Sequence, residues 1–210
     1  MDLSFIRQGY KNKNLEKDDF NSDPIIQFKL WFEEAKESEP IPTAMSLATV
    51  NNHGEPTLRT VLLKLFDKKG FVFFTNYKSK KAENINDNPN VAILFNWVAS
   101  ERQVSINGIA EKIKTEESKK YFMSRPRGSQ LGAWVSNQSS VLSSRESIEI
   151  KLEDMKRKFS NGVIPYPDFW GGYIIIPKTL EFWQGRPNRL HDRFIYSKQS
   201  NKSWKIDRIA

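Results

Sequence analysis

The sequence predicts a mainly β (α+β) fold, an antiparallel β-barrel carrying peripheral helices. Three observations support that expectation. About seven or eight extended apolar segments follow one another in hairpin order, with turn residues between them. Helical periodicity is confined to the start of the chain and to the stretch between the last two groups of strands. No internal repeat, low-complexity tract or linker divides the 210 residues. One domain over 21–210 is therefore expected, preceded by a polar segment, 1–20, that reads as mobile.

Asp23 followed by Pro24 is a helix start, an N-cap before a proline at the first helical position. IIQFKLWFEEAK then places Ile25, Phe28 and Phe32 at helical spacing, and the helix ends before Pro40. Strands follow over 43–50 and 57–67, a hairpin with Gly54 in its turn, and over 71–76 after the turn DKKG. A short polar helix over about 79–86 separates these from strands 91–98 and 101–113. Thr115 with Glu116 and Glu117 opens a helix that stops at Pro126, and Ser143 with Glu146 fits a capping box for the next. Gly162 and the prolines of VIPYPDFWGG break the chain, and three last strands are expected over 173–185, 189–198 and 204–210.

Composition narrows the chemistry. Cysteine is absent, which excludes disulfides, thiolate catalysis and thiolate metal sites, and two distant histidines, His53 and His191, argue against a metal centre. The N-terminal stretch lacks the apolar core of a signal peptide and no segment approaches a membrane span, so a soluble cytoplasmic protein is expected. A net charge of +8 attracts anions, whether nucleic acid, an anionic surface or phosphorylated small molecules. No phosphate-binding glycine loop, zinc-protease motif or nucleophile elbow is present.

Scattered donors remain. Arg59 and Lys64 bracket an apolar run, with Arg59, Val61 and Leu63 on one face of a strand and Lys64 on the other. Phe74-Thr75-Asn76, with Ser79, Lys80 and Lys81 at a helix start, resembles an anion cradle. Tyr121 and Arg125 share a helix face, and Ser129 lies just beyond Pro126, so all three could meet one phosphate. Gln138-Ser139 is polar and precedes a helix. Each pattern has an ordinary alternative: a half-buried strand, a solvated lysine pair, a capping sequence. WQGRPNRLHDRF adds Arg189, His191 and Arg193, which alternate onto one face if the segment is a strand. That face is either a salt-bridged exterior or a site for an anionic or polar ligand.

RTVLLK, FTN with SKK, ERQV, YFMSRPRGSQLGAWVSNQSS, FWGG and FWQGRPNRLHDRF occur in an order and spacing that resemble the pyridoxine/pyridoxamine 5′-phosphate oxidase family, from about residue 22 to the end. The resemblance implies an FMN-binding split β-barrel, a homodimer with flavin at the subunit interface, and O₂-dependent oxidation of pyridoxine or pyridoxamine 5′-phosphate to pyridoxal 5′-phosphate. It assigns the FMN site to Arg59, Thr60, Val61, Leu62, Leu63, Lys64, Phe74, Thr75, Lys80, Lys81, Gln103, Gln138, Ser139, Trp183 and Arg193. Arg59, Lys81 and Ser139 would meet the flavin phosphate. Lys64, Tyr121, Arg125 and Ser129 would hold the substrate phosphate, Arg189 and His191 would face the reacting carbon, and Arg7 and Tyr10 would close over the ligand. Two departures stand out: Lys80 replaces a common arginine, and NKNLEKDDF replaces a more arginine-rich stretch. A non-catalytic flavin- or haem-binding member of the same barrel class and a nucleic-acid-binding module remain as alternatives.

Overall fold

The computed structural model describes residues 1–5, 9–136, 138–142 and 144–210. Helix α1, Pro24–Ser38, starts as its sequence dictates: an Asp23 carboxylate oxygen accepts from the Ile25 N–H at 2.8 Å, and Pro24 occupies the first turn. Its buried face is Ile25, Phe28, Trp31 and Ala35, whereas Phe32, expected on that face, is only partly buried. The Phe28 ring sits among Phe66, Phe71, Phe95 and Trp97, so the helix is anchored in the barrel core.

Strands β1 (Ala44–Val50), β2 (Pro56–Leu62), β3 (Leu65–Asp67), β4 (Gly70–Asn76), β5 (Asn90–Trp97), β6 (Arg102–Lys112), β7 (Trp170–Gln184), β8 (Asp192–Lys198) and β9 (Trp204–Arg208) form one antiparallel sheet. The main order is β2-β1-β5-β6-β7-β4-β3, with β8 and β9 continuing from β7. The single strand expected over 57–67 is thus two strands. The Leu63 N–H donates to the Thr43 carbonyl beside β1 at 2.8 Å, while the Lys64 N–H donates to the Val72 carbonyl of β4 at 2.9 Å. The backbone changes partners within one residue. Because β2 and β3 stand at opposite ends of the strand order yet adjoin in the chain, that change curls the sheet into a split β-barrel.

Strand β7 is shared between two parts of the sheet: 170–175 pair with β4, 179–184 pair with β8, and β6 runs beside both. Pro177 offers no N–H for the ladder, and the register slips between Asn107 and Gly108 opposite it. The approach there is close, since a Cβ on Gly108 would lie 2.3 Å from the Ile176 carbonyl oxygen.

Helices α2 (Lys80–Asp87), α3 (Thr115–Ser124), α4 (Arg127–Val135) and α5 (Glu146–Lys158) complete the fold. Helix α4 was not expected. Gly128 and Gly132 lower its helix propensity, and burial of Leu131, Ala133 and Val135 compensates. Helix α5 begins with Arg145 at its N-cap, and the expected capping residue Ser143 lies outside the described residues. A second apolar cluster of Phe122, Leu131, Ala133, Ile164 and Trp170 packs α3 and α4 beside β7. Burying a side chain such as Phe122 contributes about 1.5–3 kcal/mol, and this cluster fixes where Tyr121, Arg125 and Ser129 point. Among the described residues no helix is long and apolar enough to cross a membrane.

Candidate active site

The strand break, the start of α2 and the α3–α4 pair surround a cavity of about 710 Å³. Arg59, Thr60, Val61, Leu62 and Lys64 line it from β2 and the break, and Phe74, Thr75 and Asn76 from the end of β4. Lys80 and Lys81 come from α2, Tyr121 and Arg125 from α3 and its cap, Ser129 from α4, and Gln138 and Ser139 from the loop after it. Among the described residues the lining holds five cations and no carboxylate. Lys64 was expected on the face opposite Arg59. The partner change at 63–64 brings both to one cavity, while Leu63 turns into the core at 3% exposure and does not line it.

Lys81 is buried at 7% exposure, yet among the described residues its ammonium donates only to neutral oxygens: Gln138 Oε1 at 3.0 Å, Thr75 Oγ1 at 3.2 Å and Ser79 Oγ at 3.3 Å. Burial, and then the nearby Arg59 charge, push it down to about 8. Burial lowers Arg59 as well, but a guanidinium stays charged at neutral pH. Among the described residues neither Arg59, Lys81 nor Arg125 has a carboxylate within ion-pairing distance. The Lys80 backbone N–H donates to Ser139 Oγ at 3.3 Å, and Ser139 holds a left-handed φ of 74°, a strained conformation for a serine.

At the other end of the cavity three near-parallel rings stack. Phe74 lies 3.9 Å from Tyr121 and 5.3 Å from Trp170 between ring centroids. Arg125 lies 4.6 Å over the Trp170 ring, and its Nη1 is buried with no hydrogen-bond partner. Burial lowers Arg125 and raises Tyr121, which leaves the phenol a neutral O–H donor at pH 7. A guanidinium held by aromatic packing with an N–H unmatched is a group awaiting an acceptor. Asn76, part of the expected anion cradle, lines the cavity as well, whereas Trp170 and Ser136 are lining residues that the sequence does not single out; the signal for Trp170 is an aromatic residue ahead of two glycines, in FWGG.

Gln103, Trp183, Arg189, His191 and Arg193 line a separate cavity of about 330 Å³ with Glu181 and Ala210. The expected alternation along one strand does not hold. β8 begins only at Asp192, and Asn188 and Arg189 adopt left-handed φ values of 59° and 62°. Arg189, His191 and Arg193 still converge on one cavity, because the turn folds Arg189 back over the end of the sheet. The Arg186 N–H donates to His191 Nδ1 at 3.1 Å, so a neutral imidazole carries its proton on Nε2. Arg193 pairs with Glu181 at 2.8 Å.

Tyr10 meets Trp183 and His191 edge-on at 5.5 Å and 5.4 Å and covers Gly185. Beyond it the N-terminal segment is docked. The Lys11 N–H donates to Glu101 at 2.8 Å and the Leu15 N–H to Asp192 at 3.0 Å, while the Lys13 carbonyl accepts from Gln184 at 2.8 Å. Asp192 in turn pairs with Arg208 at 2.9 Å and Arg186 at 3.2 Å. Arg7 lies outside the described residues.

The chain is similar to known proteins along its whole length. Residues 32–159 match the model of the pyridoxamine 5′-phosphate oxidase family, and residues 170–210 match the pyridoxine 5′-phosphate oxidase C-terminal dimerisation region. Proteins named pyridoxine/pyridoxamine 5′-phosphate oxidase from Rippkaea orientalis and Aliarcobacter butzleri are 58% and 55% identical, covering 100% of this chain and 100% of each relative. Among solved structures, PhzG from Burkholderia lata 383, in complex with tetrahydrophenazine-1-carboxylic acid, superposes with a TM-score of 0.88 at 26% identity, covering 96% of this chain and 99% of that one. A pyridoxamine 5′-phosphate oxidase-related, FMN-binding protein from Nostoc punctiforme, 16% identical with a TM-score of 0.72 over 91% of this chain and 100% of that one, shares the fold. The split barrel, the cation-lined cavity and full-length identity above half agree: this chain belongs to the pyridoxine/pyridoxamine 5′-phosphate oxidase family.

Proposed function

We propose that the chain oxidises pyridoxine 5′-phosphate and pyridoxamine 5′-phosphate to pyridoxal 5′-phosphate, with FMN as cofactor, O₂ as final acceptor and H₂O₂ as by-product, in a cytoplasmic homodimer. The observation that carries this reading is the large cavity, whose five cations, among the described residues, face no carboxylate and include a buried ammonium with neutral partners only. Such a cavity is completed by anions, and this reaction brings two phosphate monoesters to one place. The donor set fits FMN: hydroxyls, an amide and three cations at one end for its phosphate, and strand backbone with apolar side chains beside them. Bound there, FMN would supply the redox chemistry, accepting a hydride from substrate C4′ and passing the electrons to O₂.

The protein's part is to hold and orient. Arg59, Lys81, Lys80 and Ser139 would grip the flavin phosphate through charge-assisted hydrogen bonds. Thr60, Val61, Leu62, Phe74, Thr75 and Gln138 would line the cofactor. Lys64, Tyr121, Arg125 and Ser129 would take the substrate phosphate, with the unmatched Arg125 Nη1 as its anchor. Gln103 lies on β6, and Trp183, Arg189, His191 and Arg193 lie within residues 170–210, which match a dimerisation region. Their cavity shares no lining residue with the cationic one. Both facts favour a site completed by a second copy of the chain. There His191 Nε2–H and Arg189 would donate hydrogen bonds that orient the substrate's hydroxyl or amine, and Tyr10, with Arg7, would close the site.

The first test is the absorption spectrum of purified protein before and after anaerobic addition of pyridoxine 5′-phosphate. A flavin band that bleaches with substrate and returns with air is expected. A yellow protein indifferent to substrate would make the chain a flavin-binding module, and one that cannot be loaded with FMN would overturn the cofactor assignment.

A further inference from the structure

We propose that Thr49, Thr57 and Asn84 form a positioning layer that aims the Arg59 guanidinium at the phosphate of the flavin nucleotide. The inference rests on the FMN site proposed above. Arg59 uses one edge of its planar group on protein: Nη1 donates to Thr49 Oγ1 at 2.8 Å and to the Leu47 carbonyl at 2.9 Å, and Nη2 donates to Thr57 Oγ1. The same two hydroxyls are bridged from behind by α2, where Asn84 Nδ2 donates to Thr57 Oγ1 at 3.0 Å and to Thr49 Oγ1 at 3.2 Å. The hydroxyl oxygens stand 3.1 Å apart across the β1–β2 pair.

Each hydroxyl therefore receives one N–H from Arg59 and one from Asn84, which fills both its lone pairs. Thr49 is fully buried and Asn84 is 1% exposed, so neither has water as a substitute partner. The guanidinium is clamped in plane. What the layer leaves over is specific: among the described residues, Nε–H and the second Nη2–H have no acceptor. Those two protons share the other edge of the group, the parallel fork that matches two oxygens of a phosphate. No carboxylate neutralises Arg59 among the described residues, so its charge also stays available to a ligand. Helix α2 links the layer to the lysines, since Lys80 and Lys81 lie on its first turn and Asn84 on its second.

The test compares dissociation constants of FMN and riboflavin, which differ by the phosphate alone, measured by quenching of flavin fluorescence on the full-length apoprotein. Thr49→Val keeps the side-chain shape but removes the hydroxyl, and Thr49→Ser keeps the hydroxyl. Thr49→Val is expected to weaken FMN about tenfold while leaving riboflavin within about twofold, and Thr49→Ser to retain the wild-type preference. Thr57→Val, at a partly buried position, repeats the test if Thr49→Val fails to fold. Folded Thr49→Val or Thr57→Val protein with the wild-type preference for FMN would overturn the proposal. So would equal loss of both ligands, which would mean that the layer supports the barrel and not Arg59. Wild-type protein that binds riboflavin as tightly as FMN would instead overturn the phosphate site beneath the proposal.

Discussion

Lys81→Met is expected to make the apoprotein more stable and the cofactor site worse. Lys81 is buried and held by neutral oxygens, and its ammonium is pushed down to about 8 from the usual 10.5. That difference corresponds to about 3 kcal/mol against keeping the charge in the folded apoprotein at pH 7, reduced to about 2 kcal/mol by residual solvent screening. Methionine fills a similar volume without the charge. The groups it would abandon keep other partners: Ser79 Oγ donates to the Asn76 carbonyl at 2.7 Å, and Thr75 Oγ1 to Gln138 Oε1 at 2.9 Å. Differential scanning calorimetry of the apoproteins at pH 7 should therefore show the variant melting higher, by about 2–4 °C for each kcal/mol gained.

The pH dependence has a definite sign. Since the folded value lies below the unfolded one, the unfolded chain holds the extra proton between about 8 and 10.5, and wild-type apo stability rises through that window. The advantage of Lys81→Met is full below pH 8 and fades above it. FMN affinity moves the other way. A phosphate beside the ammonium favours its charged form, so wild-type affinity falls about tenfold from pH 7 to pH 9 as the free lysine loses its proton. The variant should bind FMN about 10–100-fold more weakly at pH 7 and without that pH dependence. An apo variant less stable than wild type at pH 7, or with an unchanged FMN affinity, would refute the reasoning.

Arg125→Leu should raise KM for pyridoxine 5′-phosphate about tenfold or more and leave FMN affinity unchanged, because Arg125 stacks on Trp170 at the far end of the cavity; steady-state kinetics with an FMN titration separate the two. Arg189→Ala should lower kcat/KM by well over threefold, and a smaller change would remove Arg189 from the reaction. Gly185→Ala should undock the N-terminal segment, since the new Cβ would lie 2.5 Å from the Tyr10 ring. Faster tryptic cleavage at Lys11 and Lys13 with a higher KM is the expected readout, and wild-type cleavage rates would show that Tyr10 adjusts in place.

Several parts of this fold follow from local chemistry and were legible in the chain. The Asp23-Pro24 start of α1, the hairpin around Gly54 and the turn at DKKG depend on residues adjacent in sequence, and the structure forms all three. Helix α4 was missed because two glycines weaken its propensity, and its compensation comes from burial against α3 and the 164–170 stretch. The sequence of 57–67 carries no break signal and so predicts one continuous strand. Leu63 and Lys64 part company only because β1 and β4 each claim one of their N–H groups.

The same division applies to the site. The sequence by itself determined the donor inventory: a cysteine-free, cationic chain with Arg59, Lys64, Lys80, Lys81 and Arg125 set among strand and helix ends, in long words that resemble one family. Side-chain type is a local property, so it can be read without coordinates. Only the tertiary structure decided that these five cations line one cavity with no carboxylate, that Leu63 belongs to the core, and that Arg189, His191 and Arg193 converge through a left-handed turn in a second cavity. Desolvation and the count of opposing charges depend on what long-range strand pairing brings near, and that pairing is fixed by the barrel's burial of its apolar faces.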